Sequence, residues 1–198
     1  MNPDLKKLQP YPFEKLNALK AKALEKTGQP AVQGHIPLSI GEPKHESPKF
    51  VLDSIRDNLD LISLYPLTKG GLELRTAIAG WLTRRFKLSD DMVDPEQHVL
   101  PVTGTREALF SFAQCFIDRS DDAVIMMPNP FYQIYEGAAF LSGAEPYFYN
   151  TVKENDYLPD FDAIDESVWR RCQIIYVCTP GNPTGSVITK DQLCRLIA

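Results

Sequence analysis

Between residues 98 and 178, short apolar runs alternate with segments of helical periodicity, and this alternation limits the fold more than any other feature of the chain. The pattern predicts strands at residues 99–103, 123–127, 145–149 and 174–178 and helices at residues 106–116, 133–141 and, briefly, 161–164. Strands and helices in this order form a mainly parallel sheet with helices on its faces. The predicted fold is therefore α/β, with three layers around a mainly parallel sheet.

The first part of the chain is predicted to be helical. Residues 13–26 place apolar side chains at helical spacing with lysines between them, which indicates an amphipathic helix, and Gly28 and Pro30 favour its end. Two further helices are predicted at residues 48–59 and 73–86. We expect this region to begin with a helical arm that precedes the sheet.

Charge and composition disfavour several classes of function. The net charge of −5 and the pI near 5.2 argue against a nucleic-acid partner, which needs a basic face. No apolar run approaches the roughly 20 residues of a membrane-spanning helix, and the first residues do not resemble a signal peptide. The four cysteines lack the spacings that are typical of a metal site. We expect a cytoplasmic protein with no metal, nucleic-acid or membrane partner.

The segment after the last predicted strand is the most informative about function. Residues 179–185 read Thr-Pro-Gly-Asn-Pro-Thr-Gly, and this density of proline and glycine predicts a stiff, tight loop. Ligands of open α/β sheets bind beyond the carboxyl ends of the strands, so the loop is expected to offer the Asn182 amide to a ligand. A surface turn made of the same dipeptides is the alternative.

The connection between the first predicted strand and its helix has the features of an anion site. The backbone amides of Gly104, Thr105 and Arg106 lie at the amino terminus of that helix, where the helix dipole favours negative charge. The Thr105 hydroxyl adds a donor, and Gly104 allows a ligand to approach closely. These residues predict a phosphate cradle, although Thr105 could instead be the N-cap of its own helix.

Aromatic residues cluster in the next connection between a strand and a helix. Residues 128–135 include Phe131, Tyr132 and Tyr135 beside two prolines. Tyr132 is the member expected to face inward, where its ring can stack on a planar cofactor. For Phe131 and Tyr135 we favour packing in the core.

The sequence predicts a phosphate cradle, an inward-facing aromatic ring and a positioned amide at the ends of three strands. In these features the chain resembles the fold-type I pyridoxal phosphate aminotransferases of class I and II, over nearly its whole length. The resemblance implies pyridoxal phosphate as cofactor and amino acids and 2-oxo acids as substrates. It assigns the phosphate loop to Gly104, Thr105 and Arg106. It also assigns ring stacking to Tyr132 and contact with the cofactor's phenolic oxygen to Asn182.

Two residues outside these loops also match the family's pattern. The resemblance implies that Gly41 lies against the substrate carboxylate and that Tyr65 reaches the cofactor phosphate of a neighbouring subunit, which implies a homodimer. It further implies that residues 1–47 form an amino-terminal arm and the start of a small domain. Residues 48–198 would then be the amino-terminal half of the large, cofactor-binding domain.

Three longer segments, residues 8–16, 38–45 and 129–138, are similar to bacterial succinyldiaminopimelate aminotransferases, a branch of this family. That similarity implies amino-group exchange between glutamate and a succinylated keto-acid precursor of diaminopimelate, on the route to lysine. The substrate follows from the resemblance alone. Other reactions on the same scaffold, such as cysteine-sulfur lysis, and a non-catalytic ligand-sensing module remain alternatives.

A transaminase needs a lysine that forms a Schiff base with the cofactor, and no lysine of this chain is a suitable candidate. Lys190 follows the 179–185 loop too soon and opens the last predicted helix, which Thr189 and Gln192 begin with a capping-box signature. We expect the catalytic lysine beyond Ala198 and the chain to be an inactive amino-terminal part of a longer protein. A natural short terminal helix is the alternative.

Overall fold

The structure is a computed structural model that describes residues 1–27, 38, 39, 41 and 43–198. The predicted helix end at Gly28 and Pro30, and Ile40 and Glu42 on either side of Gly41, lie outside the described residues. Contacts divide the chain into two units, one made of residues 1–9 and 102–198 and the other of residues 10–101. Each unit is described by itself.

The larger unit contains the sheet and the helices that cover it. Its helices and strands, in chain order, are α4 (Thr105–Phe116), β1 (Val124–Asn129), α5 (Gln133–Ser142), β2 (Glu145–Asn150), α6 (Glu166–Arg171), β3 (Cys172–Ile175) and α7 (Lys190–Ile197). Short 3-10 helices span Pro3–Lys7, Lys153–Asn155 and Phe161–Ala163. The smaller unit holds α1 (Pro12–Thr27), α2 (Lys49–Asp57), α3 (Leu72–Phe86) and a 3-10 helix at Leu59–Ser63.

The sheet is parallel, with strand order β2-β1-β3. Val124 pairs with Glu145 on one side of β1 and with Cys172 on the other, and a register irregularity follows on the β3 side between Val124 and Ile125. The central position of β1 explains why its first five residues are buried, because a parallel strand covered on both faces is continuously apolar. All three carboxyl ends therefore meet at one edge of the sheet.

Successive side chains of β1 enter two different cores, as the two-residue period of a strand requires. Ile125 and Met127 pack with residues of α4 and α5 on one face of the sheet. Val124 and Met126 pack on the other face, against the 3-10 helix at Phe161–Ala163 and residues of α6. The predicted three-layer α/β fold is confirmed.

The predicted strand at residues 99–103 was wrong, because this segment is not part of the sheet. Pro101 has no amide hydrogen to donate to a ladder, so it disfavours pairing within a sheet. Leu100 and Val102 are 67% and 52% exposed, whereas the side chains of an inner strand are buried. The sheet accordingly begins with β1, and α4 precedes it.

Several boundaries also moved. β3 begins two residues before the predicted strand and ends at Ile175, although the Tyr176 amide still donates to the Met126 carbonyl at 2.8 Å. The helix predicted at residues 48–59 ends at Asp57 and continues as the 3-10 helix Leu59–Ser63, and α6 was not predicted. The capping box of α7 between Thr189 and Gln192 is confirmed.

No helix in the described ranges has the length and apolarity needed to cross a bilayer.

Candidate cofactor site

A cavity of about 240 Å³ opens at the carboxyl edge of the sheet. It is lined by Thr105, Leu109, Pro128, Pro130, Tyr132, Tyr135, Cys178 and Asn182. These residues come from the start of α4, the end of β1, the start of α5 and the loop after β3. Thr105, Tyr132 and Asn182, three residues predicted from separate loops, therefore face one hollow.

The backbone at the start of α4 is arranged to accept an anion. Gly104 is the N-cap residue with φ 152°, a conformation that side-chain-bearing residues rarely adopt. Thr105 is the first helical residue, and the helix has no side-chain cap, so the alternative that Thr105 caps its own helix is wrong. The amides of the first turn have no partner four residues earlier in the helix, and Thr105 in this turn lines the cavity.

In this structure a carboxylate lies at the amino terminus of α4. The side chain of Glu107 bends back so that its Oε2 would be 2.7 Å from a methyl group at Gly104. The Arg106 guanidinium donates to Glu107 Oε1 at 2.9 Å, and this bond, followed by one from the Glu107 backbone amide, lowers the pKa of the Glu107 carboxyl. The exposed Glu107 carboxylate thus lies beside the start of α4, where it accepts hydrogen bonds from the Arg106 side chain and from its own backbone amide.

The aromatic wall of the cavity is built from two tyrosines three residues apart. Tyr132, the residue before α5, is 44% exposed and meets Tyr135 edge to face, with ring centroids 5.8 Å apart and planes at 84°. Tyr135 is buried, as expected, yet it also lines the cavity. Phe131 packs on the core and on Phe148, as predicted. Tyr132 therefore offers an accessible ring with a fixed neighbour behind it.

The loop after β3 is held in shape by its own hydrogen bonds. The Gly181 amide donates to the Ser186 carbonyl and the Gly185 amide to the Gly181 carbonyl, each at 2.7 Å. The Thr179–Pro180 and Asn182–Pro183 peptide bonds are cis. Within the described part of the chain, no hydrogen bond occupies the Asn182 amide, which lines the cavity. The stiff loop predicted from the sequence thus presents an available amide.

Gly41 and Tyr65 belong to the smaller unit. A methyl group at Gly41 would meet no described atom within 4 Å. Tyr65 follows the 3-10 helix Leu59–Ser63, and its side chain is 95% exposed. Both positions are open to a ligand or a partner, and their roles stay predictions.

Sequence reasoning missed five of the lining residues as ligand contacts: Leu109, Pro128, Pro130, Tyr135 and Cys178. Two of them carry a signal that could have been used, because Leu109 lies one helical turn after Thr105 and Tyr135 lies three residues after Tyr132. The prolines and Cys178 stand next to strand ends. Their approach to one another depends on the register of the sheet, which the sequence does not reveal.

The donor set fits pyridoxal phosphate. A helix amino terminus with a threonine hydroxyl suits its phosphate, an accessible tyrosine ring suits its flat heteroaromatic ring, and an amide suits its phenolic oxygen. The remaining lining is mostly apolar, as is usual for small-molecule sites. All three complementary groups are present on one wall.

Comparison with known proteins agrees with this site. Residues 33–198 match the aminotransferase class I and II family. The chain belongs to that family, whose members are pyridoxal phosphate enzymes.

Among curated relatives, an LL-diaminopimelate aminotransferase of Syntrophobacter fumaroxidans is 33% identical over 98% of this chain and 48% of its own length. The enzyme of the same name from Aquifex aeolicus is 32% identical over 98% of this chain and 48% of its own length. A solved aminotransferase from Neisseria meningitidis superposes with a TM-score of 0.86 at 43% identity, over 100% of this chain and 49% of the other. The chain thus spans about half the length of the relatives it matches.

Proposed function

We propose that this chain forms one wall of the active site of a pyridoxal phosphate-dependent aminotransferase. Residues 48–198 belong to the amino-terminal half of its cofactor-binding domain, and residues 1–47 form an arm and the start of a small domain. The observation that carries the proposal is that Thr105, Tyr132 and Asn182 line a single cavity at the carboxyl edge of a parallel sheet.

Each of these residues has a defined task in the proposed site. The start of α4, with Gly104, Thr105 and Arg106, binds the phosphate and fixes the cofactor's position. Tyr132 stacks on the ring and excludes water from one face, and Asn182 orients the ring by a hydrogen bond to its phenolic oxygen. Bound pyridoxal phosphate supplies an electron sink for the carbanion that forms at the substrate's α-carbon.

The proposal includes a substrate and a partner. Similarity to succinyldiaminopimelate aminotransferases favours glutamate and a succinylated diaminopimelate precursor as substrates. In this proposal Gly41 lies against the substrate carboxylate, and the reaction takes place in the cytoplasm. The names of the curated relatives favour unsubstituted LL-diaminopimelate instead. An assay of the enzyme that contains this chain, with 2-oxoglutarate as amino acceptor and either succinylated or unsubstituted LL-diaminopimelate as amino donor, distinguishes the two substrates. The exposed ring of Tyr65 suits a homodimer in which it reaches the partner's phosphate.

We expect the 198-residue chain to bind the cofactor without a covalent bond, because none of the described residues that line the cavity is a lysine. Pyridoxal phosphate and pyridoxine phosphate, which lacks the aldehyde, should therefore bind with similar affinity in calorimetric titrations. Borohydride treatment followed by mass spectrometry should find no stoichiometric lysine adduct, and transaminase assays should find no turnover. A stoichiometric adduct at one lysine contradicts this expectation.

The site assignment is tested in the same titrations by Asn182→Ala. Loss of a hydrogen bond to the phenolic oxygen should weaken binding of pyridoxine phosphate about tenfold. Asn155→Ala is the matched control, since Asn155 is exposed and lies outside the cavity. Equal effects of the two substitutions, or no binding by the unsubstituted chain, would rule out the proposed site.

A further inference from the structure

Behind the Tyr132 ring lie two stacked, buried tyrosine rings, of which Tyr135 lines the cavity and Tyr176 does not. The ring of Tyr176 stacks on that of Tyr135, with centroids 4.2 Å apart and planes 11° from parallel. Tyr135 in turn meets Tyr132 edge to face at 5.8 Å. Tyr176 is 6% and Tyr135 8% exposed, so both rings are buried. The orientation of the Tyr132 ring therefore depends on two rings beneath it.

The polar groups of Tyr176 connect these stacked rings to α4, to β1 and to Tyr149 in β2. Its hydroxyl donates to the Leu109 carbonyl of α4 at 2.8 Å, one helical turn after Thr105. Its backbone amide donates to the Met126 carbonyl of β1 at 2.8 Å, and its carbonyl accepts from the Tyr149 hydroxyl at 2.5 Å. Burial raises the pKa of the Tyr176 phenol to about 12, so its hydroxyl remains a donor well into the alkaline range.

Tyr176 thus joins three elements that each supply one proposed cofactor contact. Its ring supports the wall at the start of α5, its hydroxyl holds the helix that begins at Thr105, and its backbone extends β3 toward the loop of Asn182. A phenylalanine ring at position 176 would be sufficient to fill this part of the core, without the hydroxyl. The additional bond to a helical carbonyl, which is already an acceptor within α4, fixes the distance between strand and helix.

We propose that Tyr176 is a positioning residue of the cofactor site, which holds Tyr132, α4 and the Asn182 loop in one arrangement without touching the cofactor. This inference rests on the proposed function. Site groups that must be placed within a fraction of an ångström need such supporting contacts behind them. A purely structural residue at this position would stabilise the fold without affecting how the ligand is held.

The test is the binding of pyridoxine phosphate to the purified chain, followed by calorimetry and by the induced circular dichroism of the bound pyridine ring. Tyr176→Phe retains the stacked ring and removes the bond to Leu109, and it should weaken binding about fivefold to tenfold. Tyr176→Leu also removes the stack, so it should in addition change the induced dichroism because the Tyr132 ring is no longer fixed. If Tyr176→Leu fails to fold, the phenylalanine variant alone decides the test.

Ser142→Ala is the matched control. It removes a buried hydroxyl that, like that of Tyr176, donates to a helical carbonyl, here that of Ala139 at 3.0 Å, and Ser142 does not line the cavity. Both variants should lower the melting temperature, but only Tyr176→Phe should lower affinity. Equal losses of affinity in the two variants, or unchanged affinity in Tyr176→Phe, overturn the inference while Asn182→Ala still supports the site. Absence of binding by the unsubstituted chain overturns the proposed function itself, and the inference with it.

Discussion

Replacing Gly104 with alanine should destabilise the larger unit by about 1–3 kcal/mol, because φ at this position is far outside the range that an alanine tolerates. The new methyl group would also press on the Glu107 carboxylate at 2.7 Å and displace it. Binding of pyridoxine phosphate should weaken about tenfold or more, equivalent to ~1.4 kcal/mol, because the phosphate approaches the backbone at this glycine. Urea unfolding and calorimetric titration measure the two effects.

Gly137→Ala is the control, and it should raise the stability of the larger unit instead of lowering it. Gly137 lies in α5 with a negative φ, and a methyl group there would meet only Leu8 Cδ2, at an ordinary 4.0 Å. Alanine in a helix is favoured over glycine by roughly 0.5–1 kcal/mol, so this variant should be more stable and should bind the ligand normally. A neutral Gly104→Ala, or equal behaviour of the two variants, would contradict the described backbone at the start of α4.

Ile125→Ala should give the largest loss of stability, about 2–5 kcal/mol, because the side chain is fully buried in the central strand and its removal leaves a cavity. Ile125 packs in the core that α4 and α5 share with β1. Ile197→Ala is the matched control, since Ile197 is 83% exposed in α7 and its truncation should change stability by less than about 0.5 kcal/mol.

The unfolding signal can be assigned to the correct unit. The chain has two tryptophans, Trp81 in the smaller unit and Trp169 beside the core on the α6 face of the sheet. In a Trp81→Phe background, fluorescence in a urea titration reports on the unit that contains β1. A midpoint for Ile125→Ala close to that of Ile197→Ala would mean that β1 is not the centre of this core.

The sequence predicted the parts of the fold that depend on local periodicity. The apolar run of β1 and the helical stripes of α4 and α5 were recognised, because burial on both faces or on one face leaves a regular pattern. The segment at residues 99–103 has the same apolar character but no strand partner in the described chain. Pairing is a tertiary property, and only Pro101 indicated its absence.

Tyr132 and Asn182 were predictable members of the candidate site because they follow the ends of β1 and β3, where parallel topology brings groups together. Thr105 follows a segment that is not a strand. Proline and glycine around Asn182, and Gly104 before Thr105, identify those loops within the sequence itself. The supporting layer was not predictable, since the stack of Tyr135 on Tyr176 joins residues 41 positions apart. The position of the Glu107 carboxylate depends on a side-chain conformation, about which the sequence pattern carries no information.

The most direct measurement is a crystal structure of the chain with pyridoxine phosphate bound. The account predicts the phosphate at the start of α4 beside Thr105, the ring against Tyr132 and the phenolic oxygen within hydrogen-bond distance of the Asn182 amide. A ligand bound elsewhere on the chain, or one inside the cavity with its phosphate directed away from α4, would contradict the central claim that the start of α4 and the loops after β1 and β3 hold one cofactor.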